Sequence, residues 1–144
     1  MSAELAEFLT ACLDEDEAAA KAAAGPDWLE DGSPSLVVFT RQQDEGPRQG
    51  VRGIAWCSNG YDDDRANMAH IARHDPARVL REVEAGRHLI ADYSAVTEDA
   101  PPDRYLPTGE LQPEWAQVEC LHRELTRRAG VYSDRPGYRQ VWAP

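Results

Sequence analysis

The spacing with the clearest chemical potential is His70-Ile71-Ala72-Arg73-His74. Residues four apart share one face of an α-helix, so the two imidazoles can reach one metal ion. Two ligands do not complete a zinc site, and further donors have to converge from elsewhere. Cys57, Cys120 and His122, with Asp62, Asp63 and Asp64, are the side chains able to supply them. Zinc is the one cofactor this reading admits, and no other is predicted. The His-Glu-x-x-His pattern of zinc proteases is absent, since Ile71 stands where the glutamate belongs. The competing reading gives His70 and His74 a structural role, capping or hydrogen-bonding at a helix corner. Cys57-Ser58 at the end of a predicted strand suggests a nucleophile with His70 or His122 as base, but nothing local specifies that geometry, and an inert thiol is the ordinary outcome. Glycine-rich phosphate loops, Walker-type motifs and Gly-x-Ser-x-Gly are all missing. The balance points away from an enzyme.

These residues have to be placed by a small set of elements. Leu5, Phe8, Leu9, Cys12 and Leu13 follow the i, i+3, i+4, i+7 rhythm of a helical face, with Ser2 as candidate N-cap and Gly25-Pro26 as the stop. Leu36–Thr40 and Val51–Trp56 read as strands of an antiparallel hairpin, and Trp28-Leu29-Glu30 offers a third. A second helix starts near Asp62-Asp63-Asp64, whose carboxylates suit an N-terminus, and reaches about His74. Asp75-Pro76 then supplies an N-cap and an N1 proline for a third helix carrying Val79, Leu80, Val83, Ile90 and Tyr93. Residues 94–112, with Pro101-Pro102, Pro107 and Gly109, read as a loop, and a final helix runs from Pro113 to Gly130. Its apolar face carries Trp115, Val118, Leu121, His122 and Leu125, and core packing suits Cys120 as well. The tail bears Tyr132, Tyr138 and Trp142; three exposed aromatics are costly, so it is expected to wrap back onto the domain or to meet a partner. The predicted class is α+β: one domain over residues 1–144, a small antiparallel hairpin or three-stranded meander packed by about four helices.

Composition limits the function classes. The 144 residues carry a formal charge of −11, which argues against gripping nucleic-acid phosphates or anionic lipid. Arg73, Arg78, Arg81 and Arg87 alternate with Asp75, Glu82 and Glu84, the pattern of a solvated, salt-bridged helix. The acidity is regional: residues 1–45 hold 11 acids against 2 bases, residues 98–119 hold 6 against 1, and residues 120–144 hold 2 against 5. Ends of opposite sign suit intramolecular or head-to-tail pairing, although two solvated faces are the commoner outcome. No apolar run approaches the roughly 18–20 residues of a membrane span, and an acidic N-terminus is not an export signal, so a cytoplasmic protein is expected. Three cysteines without a Cys-x-x-Cys pair indicate free thiols.

Three stretches resemble a family of small actinobacterial proteins of unknown function. Leu5–Glu17 with Gly25-Pro26 and Trp28 is similar to the family's opening helix and its stop. His70-Ile-Ala-Arg-His-Asp-Pro-Ala-Arg-Val-Leu-Arg-Glu-Val-Glu-Ala85 is similar to its central string, and Tyr132-Ser-Asp-Arg-Pro-Gly-Tyr-Arg-Gln-Val-Trp142 to its closing motif. Many relatives carry extra cysteines between the central and final helices, whereas residues 86–119 contain none, and Arg135 replaces a tail histidine. The resemblance therefore implies that any metal site of those relatives is incomplete in this chain. The functional expectation is a non-enzymatic protein-interaction module with a partner of basic surface and no nucleic acid or membrane. Tyr132, Tyr138 and Trp142 are its candidate interaction residues. A metal-binding protein built on His70 and His74 is the alternative, and a nucleic-acid mimic the minor one.

Overall fold

The computed structural model describes residues 2–23, 25–30, 37–41, 51–56 and 62–143. In chain order the elements are α1 (Ser2–Ala22), β1 (Leu29–Glu30), β2 (Val37–Arg41), β3 (Val51–Trp56), α2 (Asp62–Arg73), α3 (Pro76–Asp99), α4 (Pro113–Gly130) and a short 3-10 turn at Gln140–Trp142. The expected α+β class is corrected. Helices of 21, 12, 24 and 18 residues outweigh strands of 2, 5 and 6, so the described chain is mostly helical. The strands pair antiparallel in the order β1-β2-β3, with Leu29 opposite Phe39 and Val37 opposite Trp56, but they are not the layer around which four helices pack. The reason is one of size: strands this short offer little area to bury, while the helical stripes are long enough to bury one another.

The chain divides into two compact units, one of residues 1–15 and 84–144 and one of residues 16–83, with boundaries inside α1 and α3. In the first unit α1 contributes Leu5, Leu9 and Cys12, spaced four and three apart on one face, and α4 contributes Val118, Leu125 and Ala129. Leu5, Leu9 and Leu125 are 0% exposed. Tyr93 of α3 joins them, as do Tyr132 and Trp142 from the tail. The helix α3 continues through residues expected to be loop. Val96 and Ala100 pack on this core beyond Tyr93, and Thr97 Oγ1 donates to the Tyr93 carbonyl at 2.7 Å, so the apolar rhythm outlasts the expected stop and only the prolines at 101 and 102 end it. Ser2 is already helical rather than outside as a cap.

The tail folds back as an aromatic strap. Phe8 lies 5.1 Å from the Trp142 ring and 6.1 Å from Tyr138, and Tyr138 meets Trp142 edge-on at 6.0 Å. Arg135 pairs with Glu15, Arg139 with Glu4, and Arg87 with Asp14 at 2.7 Å. The opposite charges of the chain's ends thus meet within one unit instead of forming two separate solvated faces. All six side chains are 38–64% exposed, where such pairs are worth about 0–1 kcal/mol each. Burial rather than charge therefore holds the strap. Combining Arg135→Ala with Arg139→Ala is expected to lower the unfolding free energy by no more than about 1–2 kcal/mol, and less in molar salt, as read from urea titrations at two ionic strengths.

In the second unit Met68 of α2 is buried among Trp28, Ile54, Ala55, Ile71 and Ala72. The α2–α3 corner satisfies the open donors at the start of α3 one by one. Pro76 has no N–H, the Ala77 N–H donates to the Pro26 carbonyl at 3.0 Å, and the Arg78 N–H donates to Asp75 Oδ1 at 2.6 Å. This is the N-cap expected of Asp75. Arg78 also reaches back, its Nη1 donating to the Arg73 carbonyl at 3.3 Å. Replacing Asp75 by alanine strands a helix donor and is expected to cost about 1 kcal/mol, with Asp75→Asn retaining most of that, measurable as a shift in the urea midpoint.

Candidate functional site

The imidazole pair forms as the spacing requires. His70 and His74 lie on the exposed side of the α2 C-terminus with ring centroids 4.2 Å apart. His74 Nδ1 is 2.8 Å from the His70 carbonyl, and because a carbonyl can only accept, Nδ1 carries the proton and donates. Nε2 is then the one His74 nitrogen with a lone pair for a metal. Cys120 and His122 belong to the other unit, and Cys57 lies outside the described residues. Among the described residues no three His, Cys, Asp or Glu side chains form a group able to hold a metal ion. The corner geometry gives the His74 ring a bond to the backbone at the end of α2, and two imidazoles are fewer donors than the three or four of established zinc sites.

The thiols separate by environment. Cys12 is a buried core residue of α1, while Cys120 is exposed, correcting its expected place in the core. Cys120 follows Val118 by two residues, about 200° around the helix, and so faces away from the buried side. His122 sits half-buried with its ring 6.0 Å from Tyr93. The tail aromatics are core pieces in this chain: Tyr132 and Trp142 are 8% and 4% exposed, and Tyr138 is half-buried on the same cluster. Their location leaves little of them to present to a partner.

The segment read as a proline-rich loop carries the feature that spacing alone did not reveal. Tyr105 bridges Leu111 in antiparallel fashion. The Leu106 N–H donates to the Glu110 carbonyl at 2.7 Å, Gly109 N–H to the Leu106 carbonyl at 2.8 Å, and Gln112 N–H to the Arg104 carbonyl at 3.1 Å. Gly109 sits at φ +88°, the left-handed conformation that makes glycine the suitable residue for this turn. Side chains tie the small hairpin to α4. Trp115 Nε1 donates to the Pro101 carbonyl at 2.9 Å, the Arg104 guanidinium lies 5.2 Å from the Trp115 ring centroid, and Arg104 also pairs with Glu119. On this braced scaffold Tyr105 is 57% and Leu106 38% exposed. The surrounding residues 98–119 carry six acids against one base, and Glu98, Asp99, Asp103 and Glu114 make no ion pair among the described residues.

The described residues form a mostly helical chain with an acidic hairpin that displays Tyr105 and Leu106. The chain belongs to a family of unknown function, DUF6221, whose match spans residues 2–144. No curated protein and no solved structure matches it. Among the described residues no helix is long and apolar enough to cross a membrane.

Proposed function

We propose that this protein is a non-enzymatic protein-interaction module that receives a partner with a basic and partly apolar face on the hairpin around Tyr105 and Leu106. The observation carrying the reading is the exposure of these two large side chains on a backbone held by its own hydrogen bonds. A preorganised hairpin loses little conformational entropy on binding, and tyrosine provides broad contact area with a polar end. The acidic surroundings complement a basic partner and speed its approach. The other acidic segment, α1, suits that role less, because its Glu4, Asp14 and Glu15 already pair with arginines of the same unit. The same pairing disfavours nucleic-acid mimicry, which needs carboxylates arrayed for an outside partner.

The test places a photo-reactive residue at position 106 and cross-links in lysate of the source cells. A discrete adduct is expected, weakened at high salt. Tyr105→Ala with Leu106→Ala in a chain carrying the probe at Thr108 should reduce the adduct by about tenfold while leaving the urea midpoint nearly unchanged. Equal labelling from a probe on the exposed Glu84 position, or an adduct indifferent to the double variant, overturns the reading.

A further inference from the structure

Within residues 16–83 a pocket of about 350 Å³ opens between the second half of α1 and the first turns of α3. That volume is at the lower end of ligand pockets, which span about 300–1,000 Å³. Ala19, Ala20 and Ala23 line one side, where the acidic run of α1 has given way to methyl groups, and Pro76 with Val79 lines another. Trp28 adds an aromatic wall. The ionisable lining is two carboxylates, Asp16 and Glu82, and the His74 imidazole, whose Nδ1 is turned to the His70 carbonyl; no lysine or arginine is among the described lining residues. Glu82 also accepts from Arg78 Nε at 2.8 Å. A carboxylate offers about four acceptor positions, and an exposed pair of this kind is worth about 0–1 kcal/mol, so Arg78 does not bar a second cation.

We propose that this pocket is a binding site for an organic cation with an apolar body, a small amine whose hydrocarbon part lies on the alanines and Pro76. Its charged head is held by Asp16 and Glu82 and by the negative face of the Trp28 indole. An anion of the same shape meets two carboxylates, and a neutral analogue forfeits both the ion pairing and the cation–π attraction. The site is independent of the hairpin around Tyr105, and its failure leaves the interaction reading untouched.

The probe is phenethylamine, compared with phenylacetate and phenethyl alcohol, each titrated into the isotopically labelled full chain and followed by amide and indole chemical shifts. Phenethylamine is expected to shift Ala19, Ala23 and the Trp28 indole saturably, with a Kd on the order of 1 mM, and to bind at least about tenfold tighter than either analogue. Asp16→Asn combined with Glu82→Gln should weaken binding by about tenfold, and Ala23→Leu, which fills the pocket, should remove it while the remaining amide spectrum stays folded. Equal affinity for the three probes, shifts located outside these residues, the absence of saturation, or variants that bind like the parent each overturn the proposal.

Discussion

Trp142→Ala is expected to lower the unfolding free energy by about 3–5 kcal/mol, enough to consume much of the stability of a chain this size. The indole is 4% exposed, packs 5.1 Å from the Phe8 ring, and meets Tyr138 edge-on. Truncation removes its transfer energy and leaves a cavity among side chains fixed on α1, which has limited freedom to close it. The neighbouring ion pairs cannot compensate, because they are exposed and weak. Urea titration followed by circular dichroism reads the loss, and Trp142→Phe should recover a large part of it. A variant with an unchanged midpoint would contradict the core assignment and return Trp142 to the set of partner-facing residues. The distinction matters for function, since it separates the aromatic tail that stabilises the chain from the Tyr105 hairpin that is free to meet another molecule.

Gly86→Leu is the second large effect, with an expected cost of about 1–3 kcal/mol. Gly86 lies in the interior of α3, where glycine is ordinarily unfavourable by about 1 kcal/mol relative to alanine. A Cβ there would stand 3.0 Å from both methyl carbons of Leu13, itself 1% exposed, and 3.5 Å from Arg128 Nη2. Glycine is thus retained for a close helix–helix approach, not for an unusual backbone angle. Leucine has to force Leu13 from its packed rotamer or push the helices apart. Gly86→Ala offers a graded control: the gain in helix propensity and the squeeze on Leu13 oppose each other, and a change within about 1 kcal/mol is expected. Thermal and urea midpoints of the two variants decide the matter, and a leucine variant as stable as the parent would show that the approach at Gly86 is not tight.

How far these features were legible differs from residue to residue. The α2–α3 corner was, because the Asp75 carboxylate accepts from an N–H three residues on and Pro76 has no N–H to satisfy. The extent of α3 was not: residues 94–99 resemble a loop by composition, and their helicity depends on Val96 and Ala100 finding a core. The strands were placed from their β-branched runs, yet the balance between sheet and helix depended on which surfaces bury one another, and the helices prevailed. The His70–His74 face followed from period alone, whereas the lack of a third described ligand is a matter of what lies across space. The order of residues does not mark Tyr105, because a proline-rich stretch carries no local signal that it will close into a braced hairpin.

By itself the sequence determined the family, the regional acidity, the apolar stripes of α1 and α4, and the cap at Asp75. Each rests on composition, on matching strings or on interactions spanning about one helical turn, which the order of residues states directly. Tertiary structure alone decided that Trp142 is core, that Gly86 admits a close neighbour, that Glu4 and Glu15 are engaged by the tail, and that Tyr105 is held in view. The first three depend on which faces meet across more than 70 residues of chain, and the display of Tyr105 on contacts 14 and 15 residues apart; in both cases many pairings share the same hydrophobic pattern and packing geometry selects among them.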